Sequence, residues 1–179
     1  MAMEDIRIET ERLVLRPPAA EDFEALARFA SDEETMRHIG GVQAPSVAWR
    51  SLAALVGSWH LQGFAMFSVI EKASGVWIGR VGPWQPHGWP GTEVGWSLSR
   101  AVWGRGYAPE AATAAIDWAF ERLGWDEVIH TIAPGNANSK RVAEKLGSRL
   151  LRMGRLPEPY HEQEVEIWGQ GREEWRARR

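Results

Sequence analysis

Trp103-Gly104-Arg105-Gly106-Tyr107-Ala108 lies between a strand-like run, Thr92 to Leu98, and a helix-like run, Pro109 to Leu123. Glycine at 104 and 106 lets the backbone turn tightly and approach a ligand closely. A helix that starts directly afterwards points unpaired N–H groups and the positive end of its dipole into the turn. Such a turn suits phosphate. A dinucleotide fingerprint needs a third glycine or alanine three residues after the second, and a Walker loop needs Gly-Lys-Ser/Thr; the chain has neither. A tight strand-to-helix turn with glycine for packing alone is the other reading, and the surrounding sequence decides between the two.

Downstream, Ala111 to Phe120 is rich in alanine, which favours helix and permits close packing on a sheet, and Gly124 ends it. Glu127 to Ala133 is strand-like, Pro134-Gly135-Asn136 a turn, and Ser139 to Leu146 a short helix stopped by Gly147. Runs at about Arg149 to Gly154 and Glu164 to Trp168 flank a loop holding Pro157, Pro159, Tyr160 and His161. Upstream, Phe64 to Ile70 and Val76 to Val81 are joined by Glu71-Lys72-Ala73-Ser74-Gly75, a hairpin turn by length and composition. With Thr92 to Leu98 they predict a meander. Leu13 to Leu15 is a short strand ended by Pro17-Pro18. Phe23, Leu26, Ala27 and Ala30 then recur at helical spacing behind Glu21 and Asp22, and a second helix is expected after Ser46 as its N-cap. Gly40-Gly41 separates the two helices. The order of elements predicts an α/β (α+β) domain, a mixed and mostly antiparallel sheet of about six to seven strands with helices on both faces.

A chain of 179 residues suits one domain with one sizeable core. The net charge of -3, without a Lys/Arg cluster, argues against a nucleic-acid surface. The absence of cysteine removes disulfides, a thiol nucleophile and thiolate metal ligands, and a reducing cytoplasm is compatible with it. The start, Met1-Ala2-Met3-Glu4-Asp5, is acidic where a secretory signal is basic, and no apolar run is long enough for a bilayer, so a soluble cytoplasmic protein with no membrane partner is expected. Among eleven tryptophans, Trp84 and Trp89 sit among glycine and proline, where they serve either as rim or as the lining of a substrate mouth. Exposed tryptophans and the strand-rich C-terminus also leave a homodimer open.

Glu93-Val94-Gly95-Trp96-Ser97-Leu98, Trp103 to Ala111, and Asn136-Ala137-Asn138-Ser139 through Glu144-Lys145-Leu146-Gly147 resemble the GNAT acetyltransferases, specifically the branch of ribosomal-protein N-terminal acetyltransferases. Thr10-Glu11-Arg12-Leu13-Val14-Leu15-Arg16 looks like that branch's first strand. The resemblance implies one acetyltransferase domain over residues 1–179, with 171–179 as a charged tail. It also implies acetyl-CoA as donor, with the pantetheine arm between splayed strands four and five. The family's phosphate segment falls on Trp103, Gly104, Arg105, Gly106, Tyr107 and Ala108, with Trp103 where Gln or Arg is usual. Trp96, Ser97 and Leu98 would meet the pantetheine through backbone groups, and Asn136 and Ser139 would lie near the thioester. Ala143 stands where many relatives carry a tyrosine as acid for the thiolate, so either Ser139 takes that role or no side chain does.

Acetyl transfer to an amine needs no metal, only proximity and a base for the ammonium proton. Glu93, at the entrance of the splayed strand, is the first candidate for that base; a salt-bridged strand glutamate is its plainer reading. His130, His161 and Tyr160 are weaker candidates, since a strand histidine is more often packed. A backbone N–H between Trp96 and Leu98, freed where the strand diverges, suits the developing oxyanion. From local chemistry alone, Ser139 and Asn136 begin a helix. Arg105, more than Lys140 or Arg141, is placed to meet phosphate. The expected acceptor is a primary amine, a protein N-terminus first or else a small molecule such as an aminoglycoside, polyamine or amino acid. Glu33, Glu34, Glu158, Glu162 and Glu164 would favour polyamines if they faced the site. The alternative function is a non-catalytic acyl-CoA-binding or interaction protein on the same fold.

Overall fold

The computed structural model describes residues 5–179; apart from Asp5, the acidic start Met1-Ala2-Met3-Glu4 lies outside them. The strands are β1 (Ile8–Glu9), β2 (Leu13–Arg16), β3 (Phe67–Glu71), β4 (Trp77–Trp84), β5 (Glu93–Leu98), β6 (Glu127–Ile132), β7 (Arg149–Arg155) and β8 (Glu164–Gly171). The helices are α1 (Phe23–Ser31), α2 (Glu33–Met36), α3 (Pro45–Gln62), α4 (Tyr107–Trp118), α5 (Ala137–Leu146) and α6 (Arg172–Ala177), with α4 prolonged by a wider turn over Ala119–Leu123. One sheet takes the order β1-β2-β3-β4-β5-β6-β8-β7. Neighbours are antiparallel except β5 and β6, which are parallel. Among the described residues the sheet has eight strands, not six to seven. The addition is β1, whose two residues pair Ile8 with Leu15 and are too few to show alternation in sequence.

Phe67 and Ser68 point to opposite faces, as successive strand residues must. The Phe67 ring meets Trp118 of α4 at 5.2 Å, whereas the Ser68 hydroxyl donates to Asp22 Oδ2 at 2.6 Å just ahead of α1. Helices α1 and α4 therefore cover opposite faces. The larger cluster, with Leu13, Leu15, Phe67, Val81, Val94 and the alanines of α4, lies under α4, while Leu26, Phe29, Met36 and Leu52 form a second under α1 and α3. Asp22 is buried because Arg16 donates to both its oxygens, at 2.9 and 2.7 Å, an ion pair that sequence periodicity does not reveal.

Helix α3 starts two residues earlier than its Ser46 cap predicted: Pro45 occupies the first turn behind Ala44, since its fixed φ suits that position and it lacks the N–H a cap would serve. The expected charged tail is instead helix α6. Glu174 accepts from the Gly171 N–H at 2.8 Å, and Trp175, only 5% exposed, donates to Asp117 Oδ1 at 2.7 Å. A single buried anchor among charged neighbours shows no apolar period. Among the described residues no helix is long and apolar enough to cross a membrane, and no group of side chains is arranged to hold a metal ion.

Candidate active site

Strands β5 and β6 are paired through Glu93 and Ile129, where the Ile129 N–H donates to the Thr92 carbonyl at 2.9 Å. A regular parallel ladder would next bring the Thr131 N–H to the Val94 carbonyl. Two side chains intervene. The Glu93 carboxylate accepts from the Thr131 N–H at 3.0 Å, and His130 Nδ1 lies 2.7 Å from the Val94 oxygen. Each satisfies a backbone group the ladder would have paired, so the strands separate without leaving a buried orphan. The expected splay is thus present, between β5 and β6 in the numbering that includes β1.

The separation has a definite consequence for Trp96. The Ser99 N–H bonds the Ile78 carbonyl on β4, whereas the carbonyls of Thr92, Val94 and Leu98 are all taken up on the other side, by Ile129, His130 and the Trp103 indole. Backbone polarity alternates along a strand, so the Trp96 N–H and C=O face the gap between β5 and β6.

Glu93 is 5% exposed and also accepts from the Trp89 indole N–H and the Thr131 hydroxyl. Burial pushes its pKa up to about 7, against the pull of those hydrogen bonds. The carboxylate therefore exchanges its proton near neutrality, which suits a general base. His130 is 1% exposed, and burial lowers its pKa to about 4, so it is neutral. Its Nδ1 faces a carbonyl and must carry the proton, leaving Nε2 to accept from the Ser148 hydroxyl at 2.9 Å. Gln170 donates to that same hydroxyl. His130 is a strut between strands, in line with the packed reading of a strand histidine.

The turn before α4 has Gly104 at φ 78° and Gly106 at φ 79°, left-handed conformations that glycine adopts freely. Among the described residues, the N–H groups of Gly104, Arg105, Gly106, Tyr107 and Ala108 find no acceptor. These donors and the helix dipole make a concave cradle for an anion. The cradle is held from behind. Arg12 donates to the Arg105 carbonyl at 2.9 Å, lies over the Tyr107 ring at 4.5 Å and pairs with Glu110, while the Tyr107 hydroxyl donates to Glu71 at 2.7 Å. The Trp103 indole N–H bonds the Leu98 carbonyl at 2.8 Å, an anchoring contact. The Arg105 side chain departs from expectation: it leans toward Glu71, 3.5 Å away, and does not line the cleft. Glu71, on β3, draws the guanidinium away from the cleft while leaving it largely in solvent. Cations that do line the cleft are Arg37, Arg141 and Lys145. Lys140 is engaged by Glu166 at 2.7 Å.

Two hollows flank the strand gap. A cleft of about 460 Å³ includes Trp96, Ser97, Leu98, Trp103, Gly104, Gly106, Tyr107, Ala108, Asn136 and Ser139 in its wall. A cavity of about 410 Å³ includes Glu93, Trp84, Trp89, Tyr160 and Arg80. They share His38, Ile39, Trp96, Ser97, Asn136 and Ser139, so they meet where the strands part. Asn136 caps α5 by accepting from the Ser139 N–H at 3.1 Å, as local chemistry suggests, yet both residues also stand at the junction. The Ser139 hydroxyl has no partner among the described residues, and Ala143 is fully buried. Glu158 and Glu164 line the cavity and Glu34 the cleft, whereas Glu33, Glu162 and His161 line neither. Arg80 was not singled out by sequence reading; one arginine in a strand-like run carries no local signal.

The family model of the acetyltransferase (GNAT) domain matches residues 12–149. Bacillus subtilis YnaD, an uncharacterised N-acetyltransferase, is 30% identical over 145 residues, 80% of this chain and 83% of its own. The crystal structure of an acetyltransferase from Agrobacterium tumefaciens superposes with a TM-score of 0.82 at 30% identity, covering 93% of this chain and 95% of that one. The ribosomal-protein-S5-alanine acetyltransferase of Vibrio fischeri shares the fold, with a TM-score of 0.74 at 20% identity over 96% and 99% of the two chains.

Proposed function

Because the chain belongs to the GNAT acetyltransferases and is an acyltransferase, we propose that it moves an acetyl group from acetyl-CoA directly to a primary amine, on a protein N-terminus or a small molecule. The observation that carries this reading is the meeting of the two hollows at Trp96, Ser97, Asn136 and Ser139, with the buried Glu93 in the wall of one and the glycine cradle in the wall of the other. The cradle's free N–H groups fit the diphosphate of coenzyme A, and the gap between β5 and β6 fits an extended pantetheine arm that bonds unpaired strand groups. Acetyl-CoA thus enters by the cleft, and the amine by the cavity.

In this arrangement Glu93 takes a proton from the ammonium, directly or through one water, and the freed nitrogen lone pair bonds to the acyl carbon. The Trp96 N–H faces the gap and receives the negative charge that develops on the acyl oxygen. The carbon–sulfur bond then breaks; the nitrogen gives up its second proton and the sulfur takes one, and the Ser139 hydroxyl, which stands at the junction, can relay it by accepting one proton as it donates its own. No covalent enzyme intermediate is needed, because both reactants reach the junction together.

The test is release of free thiol from acetyl-CoA over a panel of amines and N-terminal peptides. Release that depends on the acceptor is expected. Tight acetyl-CoA binding with no release across the panel would return the chain to the non-catalytic binding role.

A further inference from the structure

Arg80 sits in β4 opposite Ser97, and Trp84 sits opposite Glu93, so these four residues share one face of the sheet. That face forms a wall of the Glu93 cavity, which Arg80 lines. The Arg80 Nε is shielded from solvent and has no hydrogen-bond partner among the described residues. Among the described residues the other partly buried lysines and arginines are all paired: Arg12 with Glu110, Arg16 with Asp22, Lys140 with Glu166 and Arg172 with Asp126. Among the described residues Arg80 has no such carboxylate. Burial lowers its pKa, and the neighbouring Tyr160 phenol acts in the opposite direction. A guanidinium keeps its charge under these conditions, so the protein carries a partly buried cation in the wall of its acceptor cavity without a paired carboxylate among the described residues.

We propose that Arg80 is the anion-recognising group of the acceptor site, and that the acceptor is an amine carrying a carboxylate a few bonds from its nitrogen. The proposal rests on the acetyl-transfer reading of the same site and narrows its substrate class. Ser97, the cross-strand partner of Arg80, stands at the junction where the amine would react, so a carboxylate close to that amine falls within reach of the guanidinium. A planar, forked donor suits a carboxylate in two-point contact. Polyamines and aminoglycosides fit poorly, because each brings further positive charge against an uncompensated cation. Glu158 and Glu164 also line the cavity but are exposed, so water already solvates them and they demand no partner.

The carboxylate can come from a free amino acid or from an acidic side chain at the start of a peptide, and matched pairs separate these sources. Free L-methionine and L-phenylalanine are each compared with their carboxamides, and the amidated dipeptide Met-Glu with Met-Gln, in the thiol-release assay. The wild-type protein is expected to favour the carboxylate member of at least one pair by about tenfold or more in kcat/KM. Arg80→Met should bring that value down toward the carboxamide's, and Arg80→Lys should keep a weakened preference. The same ligands are also followed by thermal denaturation with coenzyme A present, where the carboxylate member should raise the midpoint of the wild type and not of Arg80→Met. Equal turnover of both members in the wild type, or a preference that survives in Arg80→Met, overturns the proposal. So does a higher KM for acetyl-CoA in Arg80→Met with the preference unchanged, which would assign the arginine to the donor. A carboxylate-specific midpoint shift with no turnover of any amine would leave Arg80 as an anion site and sink the acetyl-transfer reading instead. Neither shift nor turnover with any of these ligands sinks the Arg80 proposal.

Discussion

At neutral pH Glu93 is poised near half ionisation, because burial lifts its pKa to about 7 while Trp89 and Thr131 donate hydrogen bonds that favour its charged form. Used as a base, it should make kcat rise with pH through about 7. Glu93→Gln should remove that limb and lower kcat about 100-fold or more, with little change in acetyl-CoA affinity by calorimetry. Stability should respond as well. Glu93 binds its proton more tightly folded than unfolded, so its contribution is full below about 4.5 and is lost as pH rises to about 7. His130 does the reverse: its contribution is full above about 6.5 and is lost as pH falls to about 4. In the wild type the two slopes offset each other between about 4.5 and 6.5. In Glu93→Gln only the histidine slope remains, and the denaturation midpoint should climb with pH over that interval. A flat midpoint in the variant would count against the neutral, buried His130.

The turn from Trp103 to Ala108 and helix α4 act as a unit whose working parts are main-chain groups. At Gly106, φ is 79°, which a β-branched residue resists, and a Cβ there would come within 3.5 Å of Arg12 Nη2. Gly106→Val should therefore weaken acetyl-CoA binding about tenfold or more by calorimetry while the far-UV spectrum stays native. Unchanged affinity would place the donor elsewhere. This element was legible in the sequence because two glycines ahead of a helix are a local statement about backbone conformation. Its support was not. Arg12 reaches Glu110 from 98 positions away, and that contact depends on β2 lying beside the start of α4. The Arg105 side chain was misplaced for the same reason, since its partner Glu71 belongs to β3.

Across the whole molecule, α6 closes the sheet face that α4 covers. Trp175 joins the main core and bonds Asp117, and Arg179 lies 5.4 Å over its ring and pairs with the same aspartate at 2.7 Å. Trp175→Ala should cost about 3–5 kcal/mol in chemical denaturation, as expected of a buried aromatic whose space does not refill. A loss below about 1 kcal/mol would mean that the helix frays freely from the body. The eight-strand sheet also explains why the cavity has an unpaired cation. Opposing strands set Arg80 beside Ser97 and Glu93 beside Trp84, leaving the space between them open for a ligand.

Local backbone chemistry was written in the sequence: the order of the longer strands and helices, though not β1, α2 or α6, the glycine turn, the stop signals at Gly124 and Gly147, and the acidic residue at the head of β5. Each depends on the conformational range of one residue or the period of a short run. The tertiary structure decided the rest: the Glu93 and His130 contacts that part β5 from β6, the pKa values burial gives them, the docking of α6, and the absence of a counter-charge at Arg80. These depend on which distant atoms share a buried volume, and the loss of water there sets both the cost of a charge and the value of its partner.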